Sequence, residues 1–130
     1  MMRRLPPAER ELDVLRYVSE RAPISAREVA EQFGEANGLA RTTVVTLMER
    51  LRKKGYLARR RQEGVYRYSP RVPQAEVLEE LVRQFFERTL GGSVSPVVAY
   101  LTRTRDLSDE EAAQLESWME ALKARRERGL

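Results

Sequence analysis

The chain contains neither cysteine nor histidine. Without cysteine no disulfide can staple the fold, and thiolate nucleophiles and thiolate metal ligands are excluded. Without histidine the usual proton shuttle near neutral pH is missing. A Ser-His or Cys-His nucleophile pair therefore cannot be assembled, and imidazole ligation of zinc, copper or iron is lost with it. Long apolar runs are lacking as well: no stretch approaches the roughly 20 apolar residues that a bilayer-spanning helix needs. The amino terminus, MMRRLPPAER, carries arginines with no apolar segment behind them and does not have the plan of a signal peptide. These absences point to a soluble, cytoplasmic protein with no metal and no cofactor. Carboxylates are plentiful, but Glu79 with Glu80 and Glu110 with Glu111 lie on acid-rich helix surfaces with no basic or aromatic pocket beside them. Gly91-Gly92 has no further glycine or lysine at the spacing of a phosphate-cradling loop. An enzyme is not expected.

What is present is an uneven distribution of charge. The 130 residues fit one ordinary domain or two small ones. Residues 1–73 hold 16 basic and 9 acidic side chains, whereas residues 74–130 hold 8 basic and 11 acidic, so a net charge of +4 divides into +7 and −3. One half is suited to a polyanion and the other is not. The excess concentrates between Arg41 and Arg71, where ten Lys or Arg face only Glu49 and Glu63.

That stretch also carries the clearest local patterns. In RTTVVTLMERLRKKGY, Val44, Leu47, Met48 and Leu51 recur at i, i+3, i+4 and i+7, one apolar stripe of an α-helix. The other side carries Thr42, Val45, Thr46, Glu49, Arg50 and Lys53. Gly55 stands where a left-handed C-cap is expected, after Lys53 and Lys54. LARRRQEGVYRYSP then reads as two strands around a turn at Glu63-Gly64, closed by Pro70. A charged helix face is usually just solvated. Here the cationic face runs into two arginine-bearing strands, giving one continuous positive surface of the kind that binds phosphate.

In chain order, Met1 to Pro7 is expected to be a loose arm exposing Arg3 and Arg4. A helix follows through AERELDVLRYVSER, burying Leu12, Leu15 and Val18 with Tyr17 beside them, and ends at Pro23. Pro23-Ile24 is a stub strand suited to pair with the later hairpin. Ser25 and Glu28 form a capping box for a second helix that runs to about Phe33 and buries Ala26, Val29, Ala30 and Phe33. Gly34 to Gly38 is expected to be a turn. Helix, helix, turn, helix, hairpin is the order of a winged helix-turn-helix, assigned to residues 1–73. In residues 74–130 three helices are expected. Leu78, Leu81, Val82, Phe85, Phe86 and Leu90 mark the first, and Val94, Val97, Val98 and Leu101 the second. The third is capped by Ser108 and Glu111 and buries Leu115, Trp118, Met119 and Leu122. So thin a core is marginal alone, and Phe85 and Phe86, about 100° apart on a helix, cannot both point into it. The expected architecture is mostly α with a small β-wing: a winged helix followed by a helical dimerisation domain. Its expected interface is Leu78, Leu81, Val82, Phe85, Phe86, Leu90, Trp118 and Leu122.

Four segments together resemble a known family. They are Ala8-Glu9-x-Glu11-Leu12-x-x-Leu15, Thr42-Thr43-Val44-x-Thr46-Leu47-x-x-Arg50-Leu51-x-x-Lys54-Gly55, Val65-Tyr66-Arg67-Tyr68-x-Pro70 and Gly91-Gly92-Ser93. In this order and spacing they are similar to the BlaI/MecI penicillinase-repressor family, over nearly the whole chain. The resemblance implies a homodimeric transcriptional repressor on a dyad-symmetric double-stranded DNA operator. Residue chemistry assigns base readout to Arg41, Thr42, Val45 and Thr46, since arginine suits a guanine edge and the Thr and Val methyls suit thymine. Backbone contacts fall to Thr43, Arg50, Lys53, Lys54, Arg59, Arg60, Arg61 and Arg67. Strand alternation turns about half of the wing arginines toward DNA and leaves the rest solvated or paired with Glu63 or the acids of the first helix. Copper-responsive relatives carry carboxy-terminal cysteines, which this chain lacks. Penicillinase-type relatives are cut in the dimerisation region, implying a membrane sensor-protease as a further partner. In this chain Ala99-Tyr100 is the nearest bond, although Pro96 and the missing asparagine depart from that pattern. The competing reading is a winged helix used as a protein-interaction adaptor, against which the dense single-sign charge argues.

Overall fold

The computed structural model describes Leu5, residues 7–104 and residues 106–129. Arg3 and Arg4 of the expected arm lie outside these. The chain divides into two compact units, residues 1–84 and 85–130.

In the first unit, α1 (Glu9–Arg21) begins after Ala8, whose backbone N–H donates to Glu11 Oε1 at 2.8 Å. Val14, Leu15 and Val18 of α1 are buried, while Leu12 and Tyr17 pack partly buried against the same core. Leu5, within the expected arm, is tied down by Tyr56, whose Oη donates to its carbonyl at 2.7 Å. Strand β1 (Ile24–Ser25) is the stub anticipated at Pro23-Ile24, shifted by one residue. Ser25 and Glu28 close the capping box of α2 (Ala26–Val29).

The second helical stretch is longer than its sequence suggests. After α2 it widens into a π turn at Ala30–Gly34 and tightens into a 3₁₀ turn at Glu35–Asn37. The left-handed residue comes only at Gly38, with φ 67°. Gly34 is therefore no turn residue. It is buried in the helix, and a Cβ there would lie 3.0 Å from Val44 Cγ2 and 3.2 Å from the Leu39 carbonyl oxygen. A methyl at this point would have to displace Val44 or the Leu39 carbonyl by a few tenths of an ångström.

Helix α3 (Arg41–Lys54) buries Val44, Leu47, Met48 and Leu51 and ends at Gly55, φ 92°, as its periodicity and C-cap predict. The wing is β2 (Leu57–Gln62) and β3 (Val65–Pro70), joined by Glu63 at φ 52° and Gly64 at φ 80°. Two consecutive left-handed residues match the strand twist of a two-residue hairpin loop. The sheet order is β1-β3-β2, all antiparallel, with Ile24 opposite Tyr68 and Arg59 opposite Tyr68 from the other side. Leu57, Tyr68, Tyr56 and Val72 close the core over the three helices. Helix α4 (Gln74–Gln84) clusters with this unit: Val77 is buried and Leu81 packs on the core.

The second unit holds a π turn at Phe85–Thr89, α5 (Ser95–Ala99), a π turn at Tyr100–Thr104, and α6 (Asp109–Glu127). The Ser108–Glu111 capping box is present, with Glu111 N–H donating to Ser108 Oγ at 3.1 Å and Ser108 N–H to Glu111 Oε1 at 3.2 Å. The expected burial along α6 is not found within one chain. Leu115 is half-buried, and Trp118, Met119 and Leu122 are exposed. Among the described residues of this unit none is fully buried.

Candidate nucleic-acid interface

The solvent-facing side of α3 presents Arg41, Thr42, Thr43, Val45, Thr46, Arg50 and Lys53. All four residues assigned to base readout, Arg41, Thr42, Val45 and Thr46, are exposed on the first turns of this helix. Ala40 occupies the N-cap and supplies no side-chain cap, so the first-turn N–H groups are left without a side-chain acceptor. A helix start of that kind suits an anion. No acid sits in the first turn to oppose one. The Thr46 hydroxyl donates to the Thr42 carbonyl at 2.8 Å. Its proton is thereby engaged, leaving the methyl group and the oxygen lone pairs to face outward.

The backbone-contact residues separate into two groups, and acids rather than strand alternation make the division. Lys54 Nζ lies 2.5 Å from Oε1 of Glu11, a carboxylate only 2% exposed. Burial alone would push the Glu11 carboxyl up; the bonds from Lys54 and the Ala8 N–H outweigh this and hold it below its ordinary value. Arg67 reaches Glu28 Oε1 at 2.8 Å. Glu28 is held low first by the Ser25 hydroxyl and backbone, then by Arg67. Arg59 lies 3.2 Å from Glu49 Oε2, and the same carboxylate accepts from Arg52 and from the Tyr68 hydroxyl at 2.8 Å. Arg52 is the main reason that Glu49 also lies below its ordinary value, while burial and Glu49 together push Tyr68 up. The expected partners for surplus arginines, Glu63 and the acids of α1, are thus replaced for Arg59 and Arg67 by Glu49 of α3 and Glu28 of α2.

Arg41, Arg50, Lys53, Arg60 and Arg61 make no ion pair among the described residues. Arg60 and Arg61 are exposed near the wing tip beside Val65 and Tyr66, which are 45% and 44% exposed. The Arg59 and Arg61 guanidiniums lie 4.2 and 5.7 Å from the Tyr66 ring centroid, so the aromatic ring props both side chains. The sequence pattern marks neither Glu28 and Glu49 as partners of the wing arginines nor Tyr66 as their prop. Glu11 and Glu28 both stand at the N3 capping-box position of their helices, whereas Glu49 has no such local signal.

Residues of the expected self-association surface lie as follows. Leu78, Val82, Phe85, Trp118 and Leu122 are exposed, at 38 to 66%. Phe86, Leu90 and Leu81 are half-buried, Leu81 against the first unit's core. Ala99 ends α5 and Tyr100 begins the π turn, with Tyr100 52% exposed, so their shared bond lies in helical backbone.

Three helices, a stub strand and a basic two-stranded wing define a winged helix-turn-helix protein. The penicillinase repressor family model matches residues 7–121, and the chain belongs to that family. It is 25% identical to the penicillinase repressor of Bacillus licheniformis over 126 residues, covering 96% of this chain and 98% of the relative. To the penicillinase repressor of Staphylococcus aureus it is 24% identical over 105 residues, 81% of this chain and 83% of the relative. Among solved structures, a MarR family protein from Bacillus stearothermophilus aligns with TM-score 0.51 and 20% identity over 94% of this chain and 76% of that one, a likeness of fold. The family is one of transcriptional repressors and not of enzymes. Among the described residues no helix is long and apolar enough to cross a membrane.

Proposed function

We propose that the chain represses transcription as a homodimer on a dyad-symmetric operator, with α3 in the major groove and the wing on the flanking backbone. The observation that carries this reading is the juxtaposition of an uncapped, acid-free helix start with five unpaired cations on α3 and the wing tip. Arg41, Thr42, Val45 and Thr46 read bases. Thr43, Arg50, Lys53, Arg60 and Arg61 hold phosphates. Lys54, Arg59 and Arg67 act one step back, fixing α3 to α1 and the wing to α2 and α3. Two copies present their recognition helices roughly 34–36 Å apart, or a multiple of that spacing.

Self-association accounts for the exposed apolar side chains Val82, Phe85, Trp118 and Leu122, which a lone soluble chain rarely leaves uncovered. In this reading residues 74–130 supply the association surface and residues 1–73 the DNA-binding half, with Val77 and Leu81 of α4 packed into the core of the latter. Relief of repression by a membrane sensor-protease cutting at Ala99-Tyr100 completes the scheme. Because that bond lies in helical backbone, local unwinding must precede cutting.

A mobility-shift titration with mixed genomic fragments tests the core of the proposal. Selected fragments should bind far more tightly than random duplex. Thr46→Ala should cost on the order of 1–3 kcal/mol on the selected fragment alone, whereas Arg60→Ala should weaken all sequences alike and flatten the salt slope by about one unit. Equal binding to every duplex, or none, would instead favour a protein-contact adaptor.

A further inference from the structure

Glu49 is the only acidic residue between Arg41 and Gln62, and it stands on the recognition helix amid a surface otherwise built to meet a polyanion. A carboxylate there repels phosphate, so its place needs an explanation. Its two oxygens accept from Arg52 Nε at 3.2 and 3.1 Å and from Arg52 Nη2 at 3.0 Å. They also accept from Arg59 Nη1 at 3.2 Å and from Tyr68 Oη at 2.8 Å. One side chain thus joins α3, β2 and β3. The Glu49, Arg52 and Arg59 side chains are all partly shielded, at 25, 34 and 30% exposure.

We propose that Glu49 is a specificity-determining residue that holds Arg52 and Arg59 back from phosphate while fixing the wing against the base-reading helix. The inference rests on the DNA-binding reading given above. Sequence-independent affinity grows with each phosphate neutralised, by about 0.9 in the slope of log K against log salt for B-DNA. Every long cation free to find a phosphate strengthens binding to all sequences equally and dilutes the contribution of base contacts. Glu49 caps that number at the unpaired set, and its bonds to both wing strands keep the remaining cations in a fixed register with α3. A residue that merely stabilised the fold would, when replaced, weaken binding to every DNA. Glu49 makes the opposite prediction for random DNA.

The test compares wild type and Glu49→Gln on a genomically selected fragment and on a random duplex of equal length, across a salt series. Glu49→Gln should bind the random duplex more tightly, with a slope steeper by about one to two units and an affinity gain of about tenfold per unit near 0.1 M salt. The ratio of selected to random affinity should fall. A random-duplex slope that is unchanged or shallower in Glu49→Gln would overturn the proposal. Arg59→Gln and Arg60→Gln supply a second decision that survives if Glu49→Gln does not fold. Arg59→Gln should leave the random-duplex slope unchanged while Arg60→Gln lowers it by about one unit; equal losses would show that Arg59 is not withheld. Wild type that fails to separate the selected fragment from random duplex would overturn the DNA-binding reading itself, whatever the variants do.

Discussion

At the scale of single residues, adjacent cations on α3 do different work. Lys53 is exposed, whereas Lys54 neutralises a carboxylate that is 2% exposed. Removing one member of a buried pair strands the other charge, at a cost of about 3–5 kcal/mol, while an exposed substitution usually stays within about 0.5 kcal/mol. Chemical denaturation should therefore find Lys54→Ala strongly destabilised and Lys53→Ala close to wild type in stability. Similar losses in both would deny Lys54 its structural role. Glu11, Glu28 and Glu49, which hold Lys54, Arg67, and Arg52 with Arg59, all lie below their ordinary value of 4.5. The unfolded chain then binds more protons than the folded one as pH drops past that value. Their contribution is complete above the ordinary value and is lost as pH falls through the folded values. The urea midpoint should decline between about pH 5 and pH 3, and less steeply in Glu11→Gln. A midpoint that stays flat through that interval would contradict the assignment.

At the scale of elements, Gly34 lies close against α3 and the Leu39 carbonyl. A methyl there would meet Val44 Cγ2 at 3.0 Å and the Leu39 carbonyl oxygen at 3.2 Å, so Gly34→Ala should cost about 1–3 kcal/mol through overpacking. A loss in thermal melting well below about 1 kcal/mol would contradict this close approach. This residue shows what the sequence discloses. Helix α3 and the wing are legible because their signals are local: a 3.6-residue apolar stripe, a left-handed glycine, a two-residue turn. Gly34 is illegible because its reason is a helix ten residues further on. The same holds for the cations. Their number is plain, but which of them meet a carboxylate depends on separations of up to 43 positions, as for Glu11 and Lys54. The four expected base-reading positions lie on the helix face that the stripe leaves free, whereas the division of the backbone set needed the folded chain.

At the scale of the whole molecule, the compact units part at Gln84, further along than the composition shift at Pro73. One helical stripe in α4 looks uniform in sequence, yet Val77 and Leu81 serve the first unit's core while Leu78 and Val82 stay exposed. A chain ending at residue 84 should fold as a monomer with weak operator affinity, having lost the linked second half-site. One ending at Pro73 should be less stable by several kcal/mol, since burial of Val77 and Leu81 goes with it; each buried side chain of that size contributes about 1.5–3 kcal/mol. Equal stability of the two fragments would argue against α4 as part of the winged-helix core. Association through the exposed apolar side chains has its own check. Phe85→Asp should dissociate the full chain in sedimentation at micromolar concentration and lower operator affinity without touching any DNA-facing residue, an outcome that a persistent, normally binding Phe85→Asp dimer would refute. The central claim, a dimer that reads two operator half-sites through α3, is tested most directly by hydroxyl-radical footprinting on the genomically selected fragment. The account predicts two protected half-sites of inverted sequence, with centres roughly 34–36 Å apart along the duplex or a multiple of that spacing, and both should be lost together in Phe85→Asp. A single protected half-site, or protection unchanged in Phe85→Asp, would contradict it.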